Sequence, residues 1–173
     1  MAISLYDLTV PTYLQILGAA EGFLAKGAAH FAEKKIDPKE IVETRLFPDM
    51  LPFRFQVVAM AHHSAAALRG AKSGQSAPPS QVPDYDYAAL QNLVKETREA
   101  VQQVKPEDVN SCEGKDVVFK VRDITLPFVA ESFLMSFALP NFYFHATTAY
   151  DILRMKGVPL GKRDFMGRMR MKS

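Results

Sequence analysis

Apolar residues recur at three- and four-residue steps over most of this chain, a period that dictates helices and leaves little room for a sheet-based fold. Tyr13, Leu17, Ala20, Leu24, Ala28 and Phe31 share one face of a helix read over about 10–34. Thr9 is its expected cap, with Pro11 tolerated in the first turn. Gly18 and Gly22 lower helix propensity but permit a neighbouring helix to approach closely. The run DPKE, residues 37–40, opens a second, short helix: Asp37 caps, Pro38 takes the first position and Glu40 the third. It is read to end near Arg45, with another start at Asp49 and Pro52 inside the first turn.

The helix expected over about 50–71 is apolar on two faces. One carries Phe53, Val57, Met60, Ser64 and Leu68; the other carries Phe55, Ala59, His62, Ala66 and Arg69. A surface helix needs one apolar face, so two imply a further helix layer or a second subunit. Residues 72–83, KSGQSAPPSQVP, read as a linker. Asp84 or Asp86 then caps a helix on which Tyr87, Leu90, Val94, Thr97, Val101 and Val104 form a narrow seam, ended by Lys105-Pro106. The stretch 110–126 is β-branched and loosely alternating, and predicts a short extended pair or hairpin. Helical spacing resumes at Pro127 through Val129, Phe133 and Phe137, and Pro140 must break or kink it. The last helix runs to about Lys156 with Phe142, Ala146, Ala149 and Leu153 inward, Gly157 as C-cap and Pro159 barring continuation. These elements predict one all-α domain over 1–173, an antiparallel four-helix bundle with a short hairpin before its last helix.

A chain of 173 residues buries about 70% of its extended surface, so its core needs no disulfide or structural metal. The single cysteine, Cys112, excludes an internal disulfide and points to a reducing compartment. No basic segment followed by an apolar run opens the sequence, and no apolar stretch approaches the roughly 20 residues of a membrane span. The expected location is the cytoplasm, with no membrane partner. Net charge is +2, concentrated in residues 161–173, where Lys162, Arg163, Arg168, Arg170 and Lys172 face one acid, Asp164. Such a tail reads as solvated rather than as a nucleic-acid contact. Gly-rich phosphate loops, nucleophile elbows and HExxH are missing from the sequence.

Three segments carry a family likeness. LPNFYFHATTAYDILRMKGVPLGKRDFMG (139–167) resembles the C-terminal signature of a bacterial family known only as a domain of unknown function, within the DinB/YfiT-like superfamily of four-helix bundles. RLFPDMLPF (45–53) and SLYDLTVPTYLQIL (4–17) are similar to the same family's other motifs. The resemblance implies a bundle fold. It also implies a superfamily metal site of three histidines, one from the second helix and two at HxxxH on the fourth, and thiol-dependent transferase or isomerase chemistry in several members.

Spacing tests that site. Residues four apart lie about 40° apart around a helix, so HxxxH aims two imidazoles at one ion. By the resemblance His145 takes the second position of that pair, and the first is held by Asn141; Ala149 lies four residues on. An amide oxygen is a poor zinc or nickel ligand and alanine is none. The second helix offers His62 and His63, about 100° apart, of which at most one points where His145 points. Spacing leaves open which of the two that is, or whether either is; the metal candidates carried forward are His63 and His145, and no cofactor is expected beyond a weakly held divalent zinc or nickel ion. Subtracting the remaining candidates leaves a polar cluster: Gln56, His62 or His63, Asn141, His145 and Tyr150. Cys112 sits beside Glu113 and Asp116, a poor setting for a thiolate, and His30 is read against the end of the first helix.

Three functions follow. The first is a DinB-like bundle with a degenerate metal site, homodimeric, binding a small molecule or serving as an interaction module. In the second, an enzyme, His145 is the general base and Asn141 and Tyr150 orient a substrate. The third is a partner protein with no pocket.

Overall fold

The computed structural model describes residues 3–79 and 82–172. The chain is mostly helical, with a small three-stranded sheet. Helix α1 spans Leu5–Lys34 and so begins before Thr9. Its cap is Ser4, whose Oγ accepts from Asp7 N (3.2 Å) while Asp7 Oδ2 accepts from Ser4 N (3.1 Å). Thr9 is interior instead, its hydroxyl donating to the Leu5 carbonyl at 2.7 Å, and Pro11 lies inside the helix rather than in its first turn. Close approach to α1 occurs at neither predicted glycine. It occurs at Gly27, where a Cβ would come 2.3 Å from the Tyr87 hydroxyl, which donates to the Leu24 carbonyl at 2.9 Å.

Helix α2, Pro38–Val42, is capped by Asp37 and stops short of Arg45. Helix α3 starts at Phe53 with Pro52 outside it, so Asp49 caps nothing. It runs over Phe53–Ala61, widens into a π-turn at His62–Ala66 and returns to α geometry as α4, Ala67–Ser73. In the predicted linker, Gln75–Ser76 form β1. Helix α5, Tyr87–Gln102, is capped by Asp86 and buries Tyr87, Leu90, Val94, Thr97 and Val101 against α1. Pro106 does not merely end that helix; it opens the short α6, Pro106–Asn110.

Strands β2 (Asp116–Val121) and β3 (Ile124–Val129) form the expected hairpin, paired from Asp116–Val129 to Val121–Ile124. β1 adds to β2 in parallel, Gln75 opposite Val118. Pro127 lies within β3, so helical structure resumes later than its position suggests, at α7, Ala130–Ser132. A second π-turn, Phe133–Ala138, then leads without a break into α8, Leu139–Met155. Pro140 therefore does not break the helix. The Leu139 N–H reaches five residues back to the Leu134 carbonyl, and the widened turn admits a ring that would clash in α geometry. α8 packs on α3 and α1, and α9, Lys162–Met166, folds back onto α1.

The two-faced helix divides its second face. Ala59 is buried and Phe55 leans on α8, while His62, Ala66 and Arg69 are partly or fully exposed beside α5. Much of the apolar surface read as a subunit contact is thus spent within the chain.

Candidate functional site

Gln56 and His63 are seven residues apart, close to two turns, and fall on the α3 face that meets α8. His145 projects from α8 between them. Its Nδ1 lies 2.8 Å from Gln56 Oε1, and Gln56 Nε2 donates to the Leu51 carbonyl at 2.8 Å. The second bond fixes the first. A carbonyl can only accept, so the amide nitrogen faces Leu51 and the amide oxygen faces the ring. His145 therefore carries its proton on Nδ1 and keeps the Nε2 lone pair free. Gln56 is 2% exposed, so the amide is held rigidly by burial as well as by both bonds.

The His63 ring lies parallel to that of His145, 5.7 Å away with 10° between planes. Both are neutral at physiological pH. Burial pushes His145 down to about 4; burial, with His62 and His145 nearby, pushes His63 down to about 3. The pair stands within a row of rings: Phe128 to Phe137 (5.7 Å), Phe137 to His63 (5.8 Å), and Phe55 (5.7 Å) and Phe144 (5.3 Å) against His145. Both π-turns meet in this row, at His63 and Phe137.

The other predicted residues separate. Asn141 is one turn from His145, but its Nδ2 donates at 2.7 Å to the Phe137 carbonyl of its own helix. His62 stands edge-on to His63 at 5.4 Å but points to the linker and α5, near the Ala77 carbonyl, and burial holds it below its ordinary pKa. Tyr150 does not join the cluster: five residues from His145 is about 140° around the helix, and its ring packs on Phe23 and Phe165. Cys112 is buried, with Sγ 3.2 Å from the Asp108 carbonyl. His30 rests against Gly157 and Phe31. Phe55, Phe137 and Phe144 were legible only as packing residues, because nothing in their spacing links them to a histidine on another helix.

Two neutral imidazoles are the nitrogens of this site that could ligate a metal. Among the described residues no group of three or more His, Cys, Asp or Glu side chains is arranged to hold an ion. A catalytic zinc takes three protein ligands and leaves one position open, and here the third would fall to the amide of Asn141. The donors present do not fit such a centre.

The family model for a domain of unknown function, DUF1993, matches residues 5–166. The crystal structure of a DinB family member from Shewanella denitrificans is similar, with a TM-score of 0.78 and 25% identity over 98% of this chain and 95% of that one. No curated protein matches the sequence. No helix among the described residues is long and apolar enough to cross a membrane. With the match extending from the start of α1 to the end of α9, the chain belongs to the DUF1993 family and has a DinB-like fold.

Proposed function

We propose that this protein is a DinB-type four-helix bundle in which the superfamily's metal site is reduced to a two-histidine pocket that binds a small molecule, in a cytoplasmic homodimer. The observation that carries the reading is the relay from the Leu51 carbonyl through Gln56 to His145 Nδ1, which presents Nε2 as a fixed, neutral hydrogen-bond acceptor. Its natural ligand offers an N–H or O–H donor to Nε2 and a flat apolar body to Phe55, Phe144 and His63.

Binding fits better than proton abstraction. A general base works best with a pKa near the operating pH, and a ring held down at about 4 takes a proton too weakly to drive chemistry at pH 7. Resident metal is not part of this reading, since the pocket lacks a third strong donor.

The test is a metabolite screen by thermal shift on chelator-treated protein, repeated on His145→Ala. The expected result is a dose-dependent rise in melting temperature that His145→Ala removes. A stoichiometric zinc or nickel ion retained through dialysis against a weak chelator would overturn the reading, as would turnover of a substrate that stops with the same substitution.

A further inference from the structure

His62 and His63 stand edge to face at 5.4 Å but point to different neighbours, and His62 lines a cleft. Between the π-turn of His62–Ala66 and α5 lies a cleft of about 390 Å³ whose wall includes Val58, Ala61, Ala65, Leu93 and Tyr85. A second cleft of about 250 Å³ continues from it towards Lys72 and Val104. Ala65, Arg69 and Ala100 line both, so the two form one trough along α3, α4 and α5. Alanines at these helix positions leave room that larger side chains would fill. Space and small residues alone do not make a site, but two polar groups here have no protein partner among the described residues.

Thr97 is only 8% exposed and lines the larger cleft, yet its hydroxyl has no hydrogen-bond partner among the described residues. The other buried residues of polar type, Thr9, Gln56, Ser64 and Thr148, make such bonds; the buried Tyr13 hydroxyl and Arg98 Nε also lack partners but lie outside the trough. Arg69, at the junction of the clefts, is the second. Among the described residues no carboxylate lies within ion-pair distance of it. The neighbouring Lys72 is already matched by Asp108 at 2.7 Å, and Glu96, exposed at the rim, is held apart from the guanidinium.

We infer that this trough binds a small amphipathic carboxylate, its apolar body in the alanine-walled cleft and its head between the Arg69 guanidinium and the Thr97 hydroxyl. The chemistry selects that class. An apolar body replaces water along an apolar wall, a carboxylate accepts from a guanidinium in charge-assisted bonds, and the same head takes the unpaired hydroxyl. The cleft's volume is at the small end for ligand pockets and limits the body to a medium-length chain or a small ring system.

Titration calorimetry of the full chain with sodium decanoate tests this, with decyltrimethylammonium as the probe of equal body and opposite charge. Decanoate should bind one per chain, and the ammonium at least tenfold more weakly. Arg69→Gln, a surface substitution, should weaken decanoate about tenfold or more, and Thr97→Val by about threefold to tenfold. Ala65→Phe, which fills the junction, should abolish binding with an unchanged circular dichroism spectrum. No saturable binding, equal binding of the ammonium, or an Arg69→Gln variant that binds as wild type would overturn the proposal. So would a loss in His145→Ala as large as in Arg69→Gln, which would move the ligand to the histidine pair. The histidine pocket can fail its own test without affecting this one.

Discussion

If Asn141 is where the metal site was lost, Asn141→His should restore it. Position 141 lies one turn before His145, about 40° around the same helix, so an imidazole there shares the face of His145 and approaches the ion that His63 and His145 together cannot hold. The substitution removes the 2.7 Å bond from Asn141 Nδ2 to the Phe137 carbonyl, which costs about 1 kcal/mol. In a domain of this size that lowers the melting temperature of the metal-free variant by about 2–4 °C. Zinc then acts by mass action: at about a hundred times its dissociation constant it adds about 2.7 kcal/mol, or a rise of about 5–11 °C over the metal-free variant.

Differential scanning fluorimetry with zinc and with chelator, on wild type and variant side by side, reads both effects. The wild type should shift little, because two neutral nitrogens and an amide bind a divalent ion weakly. Ligand geometry can be checked with cobalt, whose visible spectrum reports a tetrahedral nitrogen set. A wild type that shifts as far as the variant would mean that the site was never lost. A variant that folds but ignores zinc would mean that position 141 is not the missing ligand, and the reduction of the pocket would need another cause.

Three further outcomes follow from the packing and the helix ends. His63 and His145 have folded pKa values of about 3 and about 4, below the ordinary value of 6.5, so the unfolded chain binds protons that the folded chain refuses. Their contribution is complete above pH 6.5 and is lost as pH falls towards 4, by at most about 1.4 kcal/mol per pH unit for each. Urea unfolding between pH 6.5 and 5, where few carboxylates titrate, should show that decline, and a His63→Phe/His145→Phe double variant should flatten it; a flat wild-type profile would refute the burial argument. Gly157 has φ +85° and ends α8, with its N–H on the Arg154 carbonyl and the Val158 N–H on that of Leu153, each at 3.0 Å. Gly157→Ala should cost about 1–2 kcal/mol and about 2–8 °C in melting temperature, whereas no loss would mean that the turn relaxes to another conformation. For the proposed homodimer, Phe47 (63% exposed) and Phe144 (56%) are among the apolar side chains left uncovered, and sedimentation at micromolar concentration should give a dimer; a monomer would dismiss it.

What the sequence could say depended on whether the governing contact was local. Asp37-Pro38, Gly157 and Asp86, one of two candidate caps with Asp84, mark helix ends through bonds a few residues long. Ser4 and Asp7 were equally local, but Pro11 drew the predicted start of α1 towards itself, although a proline seven residues into a long helix is carried by its packing. The first π-turn had no local signature, whereas the second stands directly before Pro140, whose ring it accommodates; the two bring His63 and Phe137 into contact at 5.8 Å. The site divides along the same line. Tyr150 could have been excluded by counting 140° from His145, whereas Asn141, 40° away, is diverted by a bond within its own helix that the count does not show. The Gln56 relay could not, since it depends on where the Leu51 carbonyl comes to rest. The adjacent histidines are the instructive pair. About 100° between neighbours meant that one of them had to leave the pocket, and a residue forced out of one site is free to border another. His62 lines the cleft beside α5 while His63 stacks on His145, so a ligand in that cleft meets His62 directly and His63 only through it, a difference that ring-resolved NMR would read.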